Sequence, residues 1–247
     1  MNKLLDDFVY QIISERAMSS VDADNEHLAI LIKHQYGQKT ITLYDSYELV
    51  HCIASRIREK MKKWKLSVNN IRYNHEHVKD LRLSAQSNVD KWMRGHITIS
   101  ESNYPSNGAY EVHGPAAVAK YGPLMYDVAM SLNPAGIVPD RKNVSDEARQ
   151  IWKYYKEKRQ DVQSHKLDDI NYPKTDSEFD DSPLYHRASE DFLNYSYTSS
   201  KKIDTLKMES NHQKTMTQLA KMGFADADIE NLFRNSAEKF FWSLYKG

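Results

Sequence analysis

The sequence predicts an α+β protein in which a mixed, mainly antiparallel sheet is flanked by helices, with a helical extension at the C-terminus. Apolar residues alternate with polar ones, or run together, over short segments, which is typical of strands. Elsewhere apolar residues recur every three or four positions, which is typical of amphipathic helices. Short connections join successive strands, and short connections favour antiparallel neighbours.

Composition limits the classes of protein to which the chain can belong. Its 247 residues can bury a core, as one large domain or two small ones. The 34 basic and 34 acidic residues cancel, so no overall positive field attracts nucleic acid. The single cysteine, Cys52, excludes an internal disulfide and suits a reducing compartment. No apolar run reaches about 18 residues and the acidic N-terminal segment is no signal peptide, so we expect a soluble, intracellular chain without a membrane span.

The N-terminal third predicts two helices around a β-hairpin. Apolar residues repeat at helical spacing over residues 4–13, and Leu28 to Lys33 and Thr40 to Tyr44 read as strands. Tyr47 to Leu66 is a second amphipathic helix with a basic end at residues 56–65. Basic residues at a helix C-terminus complement the macrodipole, so this end is either a solvated helix terminus or a patch for phosphate or nucleic acid.

The centre of the chain predicts an antiparallel pair of strands after one helix. A helix is expected at His77 to Met93, and Gly95 to Ser100 reads as a strand. Ala109 to His113 is its expected antiparallel neighbour, joined through a turn at residues 103–108. Ile137-Val138 is a further short apolar segment that suits a strand.

A strand, a loop and a helix follow one another from residue 109 to residue 132, and this unit predicts a cradle for an anion. The strand is expected to end in a small-residue turn at Gly114-Pro115-Ala116-Ala117, and a helix to run from Tyr121 to Leu132. Pro123 fits the first turn, where its missing N–H would be unsatisfied anyway. Backbone N–H groups at a helix N-terminus suit phosphate, although many plain strand–turn–helix units look alike. Beside this unit we expect either no well-formed ligand tunnel or only a shallow one.

The next helix is expected to begin at an N-cap residue, Ser145, and to place Ala148, Ile151, Trp152 and Tyr155 on one face. The residues after it are rich in Asp and predict an acidic connector, and three helical patterns follow, at about 185–197, 208–222 and 226–245. The expected organisation is a core at 1–163, a connector at 164–183 and a helical C-terminal extension at 184–247.

The central segment resembles two groups of proteins. The order strand, strand, helix, strand, helix across residues 95–162 is similar to the core of the GNAT acyltransferase superfamily. The same region resembles tailed-phage proteins that share a set of short motifs, which this chain carries as Tyr121-Gly122-Pro123-Leu124, Tyr126-Asp127, Ala129, Pro139-Asp140-Arg141, Val144-Ser145, Ala148 and Trp152. The resemblance implies a GNAT-like fold, acetyl-CoA as the cofactor and, for a phage protein, the host cytoplasm or the virion as its location.

The GNAT resemblance also assigns roles to individual residues. In that family the backbone amides of the loop before the central helix hold the acyl-CoA pyrophosphate. The family's pattern for this loop falls here on Ala119, Gly122 and Leu124. Of these three residues, only Gly122 is the residue type that the pattern requires. The implied cofactor-binding residues are Val118, Ala119, Lys120, Tyr121, Gly122 and Leu124.

The family's catalytic acid is a tyrosine that reprotonates the leaving thiolate. Its position falls on Trp152, which has no acidic proton, and Tyr155 lies almost one turn further on as a candidate substitute. Glu111 and His113 share one face of their strand and are candidate bases for an acceptor amine, or else they form a solvated strand face. We expect no metal.

Two function classes stay open from the sequence. The first is a GNAT-like N-acyltransferase that moves an acyl group from acyl-CoA to an amine. The second is a non-catalytic protein on the same fold, either a virion component or a modulator that binds a host protein. The abundant tyrosines are amphipathic contact groups suited to an interface with such partners, or else belong to the core. Nucleic acid stays an open partner through the basic helix end at 56–65.

Overall fold

The computed structural model describes residues 27–65, 67, 70–71, 74–102, 106, 108–118, 121–140, 144–167, 192–200 and 203–245. These residues form an α+β fold with a seven-stranded, mostly antiparallel sheet. In chain order the elements are β1 (Leu28–Gln35), β2 (Gln38–Asp45), α1 (Ser46–Trp64), α2 (His75–Ser87), α3 (Val89–Trp92), β3 (Met93–Glu101), β4 (Tyr110–Ala117), α4 (Gly122–Ser131), β5 (Ile137–Val138), α5 (Asp146–Glu157), β6 (Val162–Lys166), β7 (Tyr195–Ser199), α6 (Thr205–Lys221) and α7 (Asp226–Tyr245).

The sheet places its strands in the order β1-β2-β3-β4-β5-β7-β6. β3 and β4 are antiparallel, as are β5 with β7 and β6 with β7. β4 and β5 are parallel, because α4 crosses over between them. The sequence-based prediction of a mainly antiparallel sheet is therefore confirmed.

Contacts within the chain define two compact units, and one of them is mostly helical. It contains described residues of 27–31, 43–94 and 206–245. α1 packs against α2 and α3, and α7 packs against α2 and α3. Edge-to-face contacts among Tyr44, Trp92 and Phe233 fill its centre, and the Tyr44 hydroxyl lies 2.8 Å from His212 Nδ1.

The second unit contains described residues of Ile32–Thr42 and Gly95–Thr205. α4 packs against β4, β5 and β7, and α5 packs against β6. The buried rings of Tyr126, Trp152, Tyr155 and Tyr197 contact one another with centroid separations of 4.9 to 6.3 Å. Gly136 enters β5 with φ of +79°, and a Cβ there would lie 2.0 Å from the Tyr197 carbonyl oxygen, so only glycine fits.

Several predicted elements are confirmed by the structure. Ser145 accepts a hydrogen bond from the Ala148 N–H as the N-cap of α5, and Ala148, Trp152 and Tyr155 are buried on one face of that helix. The hairpin strands, the antiparallel pair β3–β4 and the short strand β5 lie where the sequence predicts them. The helix expected at 77–93 is divided into α2 and α3 at Asn88.

Three predictions need correction. Gly114 to Ala117 were expected to form a turn, but they continue β4, because Ala116 and Ala117 pair with β3 beyond a bulge at Gly114 and Pro115. The end of the helix expected at 185–197 is instead β7, whose polar-aromatic alternation suits a strand paired with β6. The connector was expected from residue 164, yet β6 runs to Lys166.

Some predictions fall on residues that are not described. They are the helix at 4–13, most of the connector at 164–183, part of the turn at 103–108, and Ala119, Lys120 and Arg141.

Trp152 gives a direct test of this packing. Its side chain is 1% exposed and contacts three tyrosine rings, so Trp152→Ala should lower the free energy of unfolding by about 3–5 kcal/mol. Chemical denaturation followed by circular dichroism measures the change. Tyr154→Ala, which truncates the exposed neighbouring ring, is the matched control and should change stability far less. Equal losses in both variants would contradict the assigned core.

Candidate functional site

The parallel pairing of β4 and β5 is short, and we define the gap as the side of β4 beyond its last residue paired with β5. The two strands pair only at Tyr110 with Ile137 and at Glu111 with Val138. β4 continues to Ala117, whereas β5 ends at Val138. Six residues of β4 therefore run on past the last paired residue of β5.

The two faces of the sheet beside this gap differ in chemistry. Alternation along β3 places Gly95, Ile97 and Ile99 on one face and His96, Thr98 and Ser100 on the other. α4 covers the first face, since a Cβ on Gly95 would lie 2.6 Å from Met125 Sδ. The second face is polar, with Thr42 Oγ1 3.2 Å from His96 Nδ1.

A bulge in β4 separates two parts of this strand. Thr98 pairs with His113 and His96 pairs with Ala116, so one residue of β3 faces two of β4. Gly114 lies in the bulge with φ of +50°, a conformation that glycine adopts without strain. The bulge interrupts the regular ladder directly after His113, and pairing resumes at Ala116.

Ser100, His113 and Asp140 form a continuous hydrogen-bonded chain on the polar face. Ser100 Oγ lies 2.9 Å from His113 Nε2, and His113 Nδ1 lies 3.0 Å from Asp140 Oδ2. Cross-strand pairing of Ser100 with Glu111 and of Thr98 with His113 brings the first two side chains together. Asp140 reaches the same point because it follows β5 by two residues.

Glu111 adds a second carboxylate to this cluster. Its side chain is buried and accepts a hydrogen bond of 2.9 Å from Ser102 Oγ. One ligand atom each from Glu111, His113 and Asp140 lies within 4.8 Å of the others, so the three side chains could hold one cation. The donor set of one imidazole and two carboxylates is also what an acid–base site needs.

The carboxylates determine the protonation of His113. The hydrogen bond to Asp140 raises the pKa of this imidazole above its ordinary value of 6.5, and the charges of Glu111 and Asp140 act in the same direction against partial burial. Asp140, when ionised, only accepts, so the proton of the neutral imidazole sits on Nδ1. Nε2 then accepts the hydrogen bond that the Ser100 hydroxyl donates.

A groove of about 530 Å³ lies at the other end of this strand–loop–helix region. A pocket of this size suits an organic ligand. Its lining residues come from the end of β4, the start of α4 and the first turns of α5: Pro115, Ala116, Ala117, Val118, Gly122, Pro123, Met125, Tyr126, Ser145, Glu147, Ala148, Gln150, Ile151 and Tyr154.

The N-terminus of α4 opens on this groove. Tyr121 caps the helix without a side-chain hydrogen bond, and the first intrahelical bond runs from the Met125 N–H to the Tyr121 carbonyl. The N–H groups of Gly122 and Leu124 thus have no acceptor inside the helix, and Pro123 has no N–H. Gly122 also sets the width, since a Cβ there would lie 3.3 Å from Ile151 Cδ1.

Asp127 fixes the two helices that form the groove walls. This buried carboxylate on α4 accepts hydrogen bonds from Arg159 at 3.2 and 3.3 Å, and its Oδ1 lies 2.9 Å from the Tyr155 hydroxyl. That hydroxyl also lies 2.8 Å from the Pro123 carbonyl oxygen. Burial and the charge of Asp127 raise the pKa of Tyr155, so the phenol keeps its proton and is a poor general acid.

The structure brings together some of the predicted site residues and separates others. Glu111 and His113 share one cluster, and Val118 and Gly122 line the groove on either side of Ala119 and Lys120, which are not described. Tyr121 precedes α4, and Leu124 is half-buried outside the groove lining. Tyr155 is directed at Asp127 and does not join Glu111 and His113.

Sequence reasoning missed Ser100 and the role of Asp140. The alternation of His96, Thr98 and Ser100 along an otherwise apolar strand was a visible signal for a polar sheet face. Asp140 carries no such signal, because nothing in the sequence places the end of β5 beside His113.

The basic end of α1 is partly neutralised. Arg56 lies 3.2 Å and Lys60 3.1 Å from Asp80 Oδ2, whereas Lys62 and Lys63 in the last turn are exposed. Such a helix end complements the macrodipole, and its use for nucleic acid stays a prediction.

No family model, curated protein or solved structure matches this chain. Among the described residues, no helix combines the length and apolar character that crossing a membrane requires.

The pKa of His113 can be measured directly by NMR titration, and it should lie above the ordinary value of 6.5. Asp140→Asn should lower it, because the main cause of the shift is lost. A raised pKa in the folded state also means stability that is fully present below pH 6.5 and is lost as pH rises through the folded pKa. As pH rises from 6.5 through the folded pKa, the free energy of unfolding should therefore fall less in His113→Gln than in the wild-type protein. A His113 pKa unaffected by Asp140→Asn would contradict the assigned hydrogen bond.

Proposed function

We propose that this protein is a GNAT-like N-acyltransferase that moves an acyl group from acyl-CoA to an amine. The observation that carries the proposal is the early end of the β4–β5 pairing, with a ligand-sized groove at one side and an acid–base cluster at the other. The GNAT family admits its cofactor between splayed central strands, and the end of the β4–β5 pairing after Glu111 supports a similar opening here.

The groove supplies a place for the cofactor. The N–H group of Gly122, which lines the groove, and the positive end of the α4 dipole suit a phosphate oxygen. Gly122 keeps the backbone accessible, as its Cβ would be directed at Ile151. Pro115, which lines the groove, lies two residues beyond His113 in the same strand, so we expect a ligand in the groove to extend its acyl end toward the cluster.

His113 supplies the base that an amine acceptor requires. The amine attacks the thioester carbonyl carbon, and its proton passes to His113 Nε2, directly or across the Ser100 hydroxyl. The C–S bond then breaks, and the imidazolium returns the proton to the leaving thiolate. Glu111 and Asp140 stabilise the imidazolium between these two steps. This cycle needs no acid at Tyr155.

A binding role without catalysis is the second candidate. Its supporting observation is a set of large apolar side chains that are exposed in the described part of the helical unit, Trp64, Leu206, Trp242 and Leu244. Exposed aromatic residues are enriched at protein interfaces. A protein partner, such as other virion subunits or a host protein, would cover them.

Calorimetry with acetyl-CoA and the pure protein tests the proposed enzyme, and Gly122→Val is the informative variant. A valine should narrow the groove against Ile151 and weaken acetyl-CoA binding at least tenfold, roughly 1.4 kcal/mol. Ala227→Val, which adds the same side chain to the exposed start of α7, is the control and should bind normally. If Gly122→Val folds and binds acetyl-CoA with unchanged affinity, the cofactor does not bind in this groove.

Charge gives an independent test of the same groove. Glu147 is the charged residue among the described lining residues, and its carboxylate opposes an anion. Glu147→Gln should therefore tighten acetyl-CoA binding by about two- to fivefold, and the gain should shrink as salt rises. Glu157→Gln, near the opposite end of α5 and outside the groove lining, should change nothing. Equal effects of the two substitutions would place the anion elsewhere.

A further inference from the structure

We propose that Ser100 is a nucleophile activated by His113 and Asp140, and that it takes the acyl group onto its own oxygen from activated esters or thioesters. The inference goes beyond the transfer described above, because it gives the protein an acyl-serine intermediate and an esterase activity that needs no CoA.

The contacts have the connectivity that this chemistry requires. The serine oxygen meets one imidazole nitrogen at 2.9 Å and the carboxylate meets the other at 3.0 Å. A serine hydroxyl is a weak nucleophile until a base accepts its proton, and the base must in turn be oriented by a third group. The three residues reach this arrangement from three strands or strand ends, β3, β4 and the end of β5, so it does not follow from local sequence spacing.

The direction of each hydrogen bond supports the roles. Asp140 fixes the proton of neutral His113 on Nδ1, which leaves the lone pair of Nε2 for the serine proton. Ser100 has a second acceptor, the Glu101 carbonyl oxygen, at the longer distance of 3.2 Å. The shorter contact to His113 favours the activated orientation.

The active atoms are also accessible. The side chains of His113 and Asp140 are 32% and 23% exposed, and Ser100 is half-buried.

The reaction balances without further reagents. Ser100 Oγ attacks the acyl carbonyl carbon as its proton moves to His113 Nε2, and the bond to the leaving oxygen or sulfur then breaks as the leaving group takes that proton. Water or an amine attacks the acyl-serine in the same way, passing its proton through His113, and releases the acid or the amide. Asp140 is a positioning residue throughout.

The test uses the intact chain with p-nitrophenyl acetate and a fluorophosphonate probe. We expect a burst of nitrophenolate, and mass spectrometry should locate the fluorophosphonate on Ser100. Ser100→Ala should abolish both signals, and Asp140→Asn should lower the acylation rate at least a hundredfold. The wild-type rate should rise with pH through the pKa of His113, and the inflection should move to lower pH in Asp140→Asn.

Ser164→Ala, a strand serine paired with β7, is the matched control and should keep the full rate. Label on another residue of the wild-type protein, or an undiminished burst in Ser100→Ala, would overturn the proposal whether or not the variants fold well. Acetyl-CoA binding measured in parallel separates the two proposals. Normal binding with no acyl-serine would leave direct transfer to an amine intact, whereas labelling of Ser100 without CoA binding would leave a CoA-independent esterase.

Discussion

The buried carboxylate of Asp127 is the constraint on which the sheet-containing unit depends. A carboxylate that is about 8% exposed is costly to bury unless it is paired, and Arg159 and the Tyr155 hydroxyl both meet it. Arg159 is itself held by Asp161 at the start of β6, so one network joins α4, α5 and the edge of the sheet. Loss of one partner would leave a buried charge uncompensated, which typically costs 3–5 kcal/mol. This network therefore holds together α4 and α5, the two helices that form the groove walls, while Gly122 lets them approach closely at Ile151.

The second organising feature is the place where β4 parts from β5. Parallel strands need a crossover connection, which here contains α4. The two strands that it joins pair at two residue positions, Tyr110 with Ile137 and Glu111 with Val138. Beyond them β4 carries a bulge at Gly114, so the strand can present His113 to the polar face while its later residues line the groove. One strand thus serves two chemically different surfaces.

Local patterns predicted much of this fold, and long-range pairing decided the rest. The N-cap Ser145 and the apolar face of α5 are encoded within a dozen residues, so both were predictable. Gly114 to Ala117 look like a turn because they contain glycine and proline, yet Ala116 and Ala117 pair with the partner strand β3 and the turn-forming residues are accommodated as a bulge. Asp140 gains its contact with His113 from sheet order alone. Tyr155 shares the apolar helix face as predicted, and only the position of Asp127 shows that its hydroxyl is already engaged.

The cluster of Glu111, His113 and Asp140 combines two tasks that pull in opposite directions. Two carboxylates beside one imidazole favour its charged form, which stabilises the imidazolium that forms during proton transfer. The same charges oppose the neutral form that must accept the proton in the first place. Glu111 is engaged by Ser102 and is buried, whereas Asp140 contacts the ring directly. The hydrogen bond from His113 Nδ1 to Asp140 therefore mainly sets both the strength of His113 as a base and the fraction of its imidazole that is neutral and able to accept a proton. The same hydrogen bond directs Nε2 at Ser100.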